Sequence, residues 1–112
     1  PVFYSLSCLA AQRKEMSITI YPTFSIPFDL GQTVATPHVL EVVPRAEIFV
    51  ALRRHQNCDW GDVSPQDKWA NDRAVKDGER LLSVYHSEDG IKFWIITEWD
   101  RSATTVLLPE DY

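Results

Sequence analysis

The stretch from Ser64 to Tyr112, SPQDKWANDRAVKDGERLLSVYHSEDGIKFWIITEWDRSATTVLLPEDY, reads as one helix followed by three antiparallel strands. Ser64 offers a hydroxyl to the free N–H groups of a helix start, and Pro65 fills the first turn, where a missing N–H costs nothing. Asp67 sets a carboxylate against the positive end of the helix dipole, and Gly78 suits a left-handed helix stop. Between these signals, Ala70 and Ala74 lie four apart on one face beside Trp69 and Val75. Asp72 and Lys76 have the favourable order for a solvated rim. A strand from Glu79 to Ser87 meets the turn Glu88-Asp89-Gly90, with glycine where a positive φ is needed. Ile91 to Asp100 is the longest apolar run and is rich in β-branched and aromatic residues. Asp100-Arg101-Ser102 turns again, and Ala103 to Leu108 returns before Pro109.

Alternation along the middle strand sets Phe93, Ile95, Thr97 and Trp99 on one face, with Lys92, Trp94, Ile96 and Glu98 on the other. Both faces are largely apolar. One covering helix therefore does not suffice, and the N-terminal half or a second subunit is expected on the other side.

Working back towards the N-terminus, Gly31 to Ala35 is expected as a strand. Thr36-Pro37 caps a short helix over His38 to Val43, which Pro44 ends. Arg45 to Gln56 reads as a further helix, with Ile48, Phe49 and Leu52 at core spacing. The expectation is an α+β fold: an antiparallel sheet of three to four strands with two or three helices packed against it. Residues 16–112 form a single domain, and residues 1–15 an N-terminal extension. Met16 reads as an alternative start, and Ser17 to Tyr21 as a strand. No basic segment precedes the apolar PVFYSLSCLAAQ, so it lacks the pattern of a signal peptide. Pro1 as a catalytic secondary amine, in the manner of tautomerases, lacks the β-α-β pattern downstream that such an enzyme needs.

Composition narrows the function classes. With 112 residues, four Trp, four Tyr and five Phe, the chain can build one real core. A net charge of −5 argues against tracking nucleic-acid phosphates, which relies on clustered Lys and Arg, and favours a basic protein partner. Cys8 and Cys58 make no disulfide framework, which fits a reducing cytoplasm. No apolar run reaches membrane-spanning length.

The residues able to do chemistry are His55, Asp59, Asp62, Asp67, Asn71, His86, Glu98, Asp100, Arg101, Thr104 and Thr105. Asp59, Asp62 and Asp67 could gather around a hard cation, but their spacing matches no calcium loop, and capping or loop hydrogen bonds explain them more simply. The sequence points to no metal and no cofactor. A catalytic reading takes His55 and His86 as acid and base with Arg101 holding an anion, as in metal-independent ribonucleases. The competing reading of Glu98, Asp100, Arg101 and Arg80 is an ion-pair lattice that pins strand ends. Trp60 reads as a plug over a core edge, and Trp69 and Arg73, four apart, as a stacked pair. Trp99, if exposed beside Trp60, would make a protein-binding anchor.

The segment from about Gln32 to Tyr112 resembles a family of small uncharacterised proteins carried on plasmids and integrative elements, labelled plasmid-related protein. The resemblance rests on Arg54-His55, Asp59-Trp60-Gly61, Asp67, Asn71, Gly78, Arg80, Leu82-Ser83 and Tyr85. It continues through Trp94-Ile95-Ile96-Thr97-Glu98, Asp100-Arg101-Ser102, Thr104-Thr105 and Leu107-Leu108-Pro109-Glu110 to Tyr112. This sequence departs at Cys58, where glycine is expected, and at Trp99, where a small residue is expected. The resemblance implies a mobile genetic element rather than a reaction. Small acidic proteins in that setting often block a host defence complex, anti-CRISPR proteins being the familiar case. The expectation is a non-catalytic protein-binding module of anti-defence type. Asp59, Trp60, Asp62, Glu98, Trp99 and Asp100 would face a basic or nucleic-acid-binding protein, without direct nucleic-acid or membrane contact. The alternatives are a small ribonuclease or toxin using His55, His86 and Arg101, and a homodimer formed through the second sheet face.

Overall fold

The computed structural model describes residues 4–5 and 26–112 of the chain. The expectations for Pro1, Met16 and the strand at 17–21 lie outside the described residues. The two-residue strand β1 (Tyr4–Ser5) and β2 (Gln32–Ala35) precede the helices α1 (Pro37–Val42), α2 (Arg45–Gln56) and α3 (Pro65–Asp77). Strands β3 (Leu81–His86), β4 (Lys92–Thr97) and β5 (Ala103–Leu107) follow, and a 3₁₀ turn, Pro109–Asp111, closes the chain.

The fold is α+β, and its sheet is mixed rather than purely antiparallel. The strand order is β1-β2-β5-β4-β3. The hairpins β3–β4 and β4–β5 are antiparallel, while β2 runs parallel to β5 with Thr33 opposite Thr104 and Ala35 opposite Val106. A parallel pair needs a crossover, and everything from α1 to β4 lies between these two strands. Thr36 begins that crossover as the α1 N-cap: its Oγ1 accepts the Val39 N–H at 3.2 Å and donates to Asp111 Oδ2 at 2.8 Å.

One sheet face carries Leu81, Ser83 and Tyr85 opposite Thr97, Ile95 and Phe93, extended by Thr104 and Val106. Helices α1 and α2 close it: Val39, Val43, Ile48, Ala51 and Leu52 pack with Ala35, Tyr85, Phe93, Ile95 and Val106. Beside this core, Ala74 of α3 joins Phe28, Trp60 and Leu81 in a smaller cluster. On the other face Ile96 and Leu107 are buried, and the Tyr112 ring meets Trp94 edge-on at 5.9 Å.

Two expectations about facing are corrected. On α3 the buried residues are Asn71 and Ala74, whereas Trp69 and Ala70 are exposed. Trp99 does not continue the inward row of Phe93, Ile95 and Thr97, because β4 ends at Thr97. The chain then turns through Arg101 N–H to Glu98 O at 2.9 Å, which swings Trp99 into solvent.

Candidate functional site

His55 follows Ile48, Ala51 and Leu52 on the inward face of α2 and is fully buried. Its Nδ1 lies 2.5 Å from Ser83 Oγ, and its Nε2 lies 2.8 Å from Thr97 Oγ1. Thr97 Oγ1 is 2.7 Å from Thr104 Oγ1, and the Thr104 hydroxyl donates to the Leu30 carbonyl at 2.7 Å. The carbonyl can only accept, which orients the whole chain. Thr104 spends its hydrogen on Leu30, so Thr97 donates to Thr104. His55 Nε2–H must then donate to Thr97, leaving Nδ1 to accept from Ser83. Every hydrogen has a place with the imidazole neutral. Burial, aided by the positive charge of Arg101, pushes its pKa down to about 3. Phe28 and Trp60 meet the ring edge-on at 5.3 and 5.5 Å.

Downstream of α2, the loop at 57–63 folds against β3. Trp60 is buried, and its indole N–H donates to Asp72 at 2.9 Å, so it serves as the plug and not as a surface anchor. The Val84 N–H donates to Trp60 O, and the Asp62 N–H to Val84 O, through a parallel bridge between Gly61 and Val84. A Cβ on Gly61 would sit 2.0 Å from Val84 O, which restricts that position to glycine. Arg54 Nε donates to Asp59 at 2.7 Å, and this guanidinium holds the Asp59 carboxyl below its usual range. Asp62 Oδ2 pairs with His86 Nδ1 at 2.6 Å. An open groove of about 540 Å³ runs past Cys58, Asp59, Gly61, Val63 and Lys68. A second hollow, of about 290 Å³, lies between Glu47, Arg54, His86 and Glu88.

The remaining candidates stand at the far end of β3. Arg101 donates to three carbonyls, Glu79 O at 2.6 Å, Ala74 O at 2.8 Å and Glu98 O at 3.0 Å. Asp100 Oδ1 accepts both the N–H and the hydroxyl of Ser102, which keeps its carboxyl below the usual range. Arg80 reaches Glu98 at 3.7 Å and donates to the Tyr112 hydroxyl at 2.7 Å. Strand ends are pinned here as expected, though Arg101 works through carbonyls and not carboxylates.

The structure therefore does not assemble His55, His86 and Arg101 into one centre. His55 is sealed inside, and His86 and Arg101 are separated by the length of β3, about 20 Å at roughly 3.3 Å per residue. The six expected binding residues likewise divide: Asp59 and Asp62 belong to one end, Glu98, Trp99 and Asp100 to the other, and Trp60 to the interior. Asp67 lies in the first turn of α3, where its N–H donates to the capping Ser64 hydroxyl, and Thr105 lies half-buried on β5. Among the described residues no three His, Cys, Asp or Glu side chains stand where they could share a metal ion, and no helix is long and apolar enough to cross a membrane.

Sequence reading missed the role of Asn71. Its Nδ2 donates to Leu82 O at 2.8 Å and its Oδ1 accepts the Leu82 N–H at 3.3 Å, as a neighbouring strand would. With Val84 bridged to the 60–62 loop, the exposed edge of β3 is closed. The signal available was a lone polar residue at inward helical spacing from Ala74.

No family model, no curated protein and no solved structure matches this chain.

Proposed function

We propose that the chain is a non-catalytic protein-binding module. It acts in the cytoplasm against a basic, nucleic-acid-handling partner, in the manner of a mobile-element inhibitor of host defence. The observation that favours this reading over a ribonuclease built on His55, His86 and Arg101 is the enclosure of His55 with both ring nitrogens engaged, away from the other two. Proton transfer to a substrate requires an accessible nitrogen within hydrogen-bond reach, and the buried imidazole offers none. The net charge of −5 supports the choice of a basic partner, whose encounter it would steer. Closure of the β3 edge by Asn71 and the 60–62 loop favours recognition through side chains over strand addition.

Affinity capture from host lysate at low and high salt tests the reading. The triple variant Asp59→Asn, Asp62→Asn, Glu98→Gln should capture less of the salt-sensitive partner and show a flatter salt dependence. Capture that is identical for both proteins at both salts would remove the proposal.

A further inference from the structure

Among the aromatic side chains exposed in the described residues, Trp99 is distinct. The Trp69 ring carries the Arg73 guanidinium at 5.0 Å, and the Tyr112 ring carries Arg80 at 5.2 Å and also meets Trp94. Trp99 is 65% exposed, and no described ring or cation stacks on it. Leaving an indole in water forgoes a large burial gain, and aromatic anchors of this kind dominate protein interfaces.

The turn that displays it is densely hydrogen-bonded. Arg101 sits in the left-handed region at φ 61, an uncommon place for a side chain of its kind. It is held there by its N–H to Glu98 O and by its guanidinium on three carbonyls, one of them from the last turn of α3. Glu98 N–H donates to Ala103 O at 3.0 Å, and Ser102 fixes the Asp100 carboxylate. A tip ordered before binding avoids the entropy cost that a mobile loop meets on docking. Next to Trp99 in the chain stand Asp100, whose carboxylate is exposed, and Glu98, whose carboxylate is shared with Arg80 at 3.7 Å.

We propose that the Glu98-Trp99-Asp100 tip is the principal contact of the module, inserting Trp99 into an apolar pocket rimmed by Lys or Arg on the partner. This rests on the binding-module reading and gives that reading a surface and a partner chemistry. A second copy of the chain is a poor occupant, because each copy carries a net charge of −5.

The test is site-specific photo-cross-linking with the full chain in host lysate, placing p-benzoylphenylalanine at position 99, 69 or 50. Adducts should form from position 99. Excess unlabelled wild type should compete them away, and Trp99→Ala should compete at least about thirtyfold less well. The cross-linked partner peptide should lie beside clustered Lys or Arg. Thermal unfolding of Trp99→Ala should match wild type, since the side chain is exposed. Adducts from position 69 or 50 with none from 99 would overturn the tip while leaving a binding module in place. No adduct from any position would overturn both. An adduct to a second copy, or to a surface lacking basic residues, would overturn the partner chemistry.

Discussion

Ser83 Oγ lies 2.5 Å from His55 Nδ1 with both side chains fully buried, and its hydroxyl donates a hydrogen bond to the neutral imidazole. The bond ties the second half of α2 to the centre of β3. Through Thr97 and Thr104 it reaches the next two strands. A polar thread of this kind stabilises only while each donor meets an acceptor. A second proton on the ring would leave Ser83 facing a donor.

That constraint sets a pH dependence. The folded-state pKa of His55, about 3, lies below its ordinary value of 6.5. Between those values the unfolded chain binds a proton that the folded chain refuses. The contribution is fully present above pH 6.5 and is lost as pH falls towards 3. Its slope is about 1.4 kcal/mol per pH unit. Urea unfolding across this range should show the decline, and His55→Gln, which keeps a donor and an acceptor but does not titrate, should flatten it. Equal slopes for the two proteins would show that other groups carry the acid sensitivity.

Asn71 replaces a missing strand at the β3 edge, so its loss should expose both backbone groups of Leu82. Asn71→Ala is expected to cost about 2 kcal/mol, measured by chemical denaturation. Faster hydrogen exchange at the Leu82 amide should accompany it. Asn71→Asp should rescue little, because its second oxygen would face the Leu82 carbonyl. A stable Asp variant with a protected Leu82 amide would contradict this account.

Cys58 occupies the left-handed region at φ 65, a conformation that suits glycine better than a residue with a Cβ. Comparing Cys58→Gly with Cys58→Ala separates backbone strain from the loss of the thiol, since both variants remove the sulfur. Cys58→Gly should be the more stable of the two by about 1 kcal/mol, read as a higher melting temperature. If alanine equals glycine there, the loop relaxes and the strain is not stored.

Much of this architecture was legible from local chemistry. The caps Ser64, Thr36 and Gly78 mark helix ends because they answer orphan backbone groups within a few residues. The turn at Gly90 and the alternation through Phe93 and Ile95 fix the β3–β4 register in the same local way. The parallel pairing of β2 with β5 is different, since its partners lie about seventy residues apart and no short-range signal encodes it. His55 was drawn as a candidate catalyst because imidazole titrates near neutrality, yet its spacing from Ile48 and Leu52 already placed it on the buried side of α2. The β4 alternation, extended two residues past Thr97, sets Trp99 on the face of Phe93 and leaves its burial open. A turn stabilised by the side chain of Arg101 overrides the periodicity there, and that contact with the end of α3 is long-range.

Arg101 is the residue on which this turn depends, and the shape of its side chain matters more than its charge. The planar guanidinium directs separate N–H groups at Ala74 O, Glu79 O and Glu98 O, joining the C-terminal turn of α3 to both β3 and the hairpin. An ammonium group at the same place keeps the charge but not the fork. Arg101→Lys should therefore recover only part of the stability lost by Arg101→Ala, a loss expected at about 2 kcal/mol. Arg101→Gly relieves the left-handed backbone while also removing the fork. If the fork governs, the Gly variant falls below Lys in stability; if backbone strain governs, it rises above Lys. The fluorescence anisotropy of Trp99, isolated by substituting Trp69 with Phe and measured as a difference from Trp99→Phe, should drop in Arg101→Ala, because the indole then rides on a loosened turn. Unchanged anisotropy would mean that the hairpin holds Trp99 without help from α3.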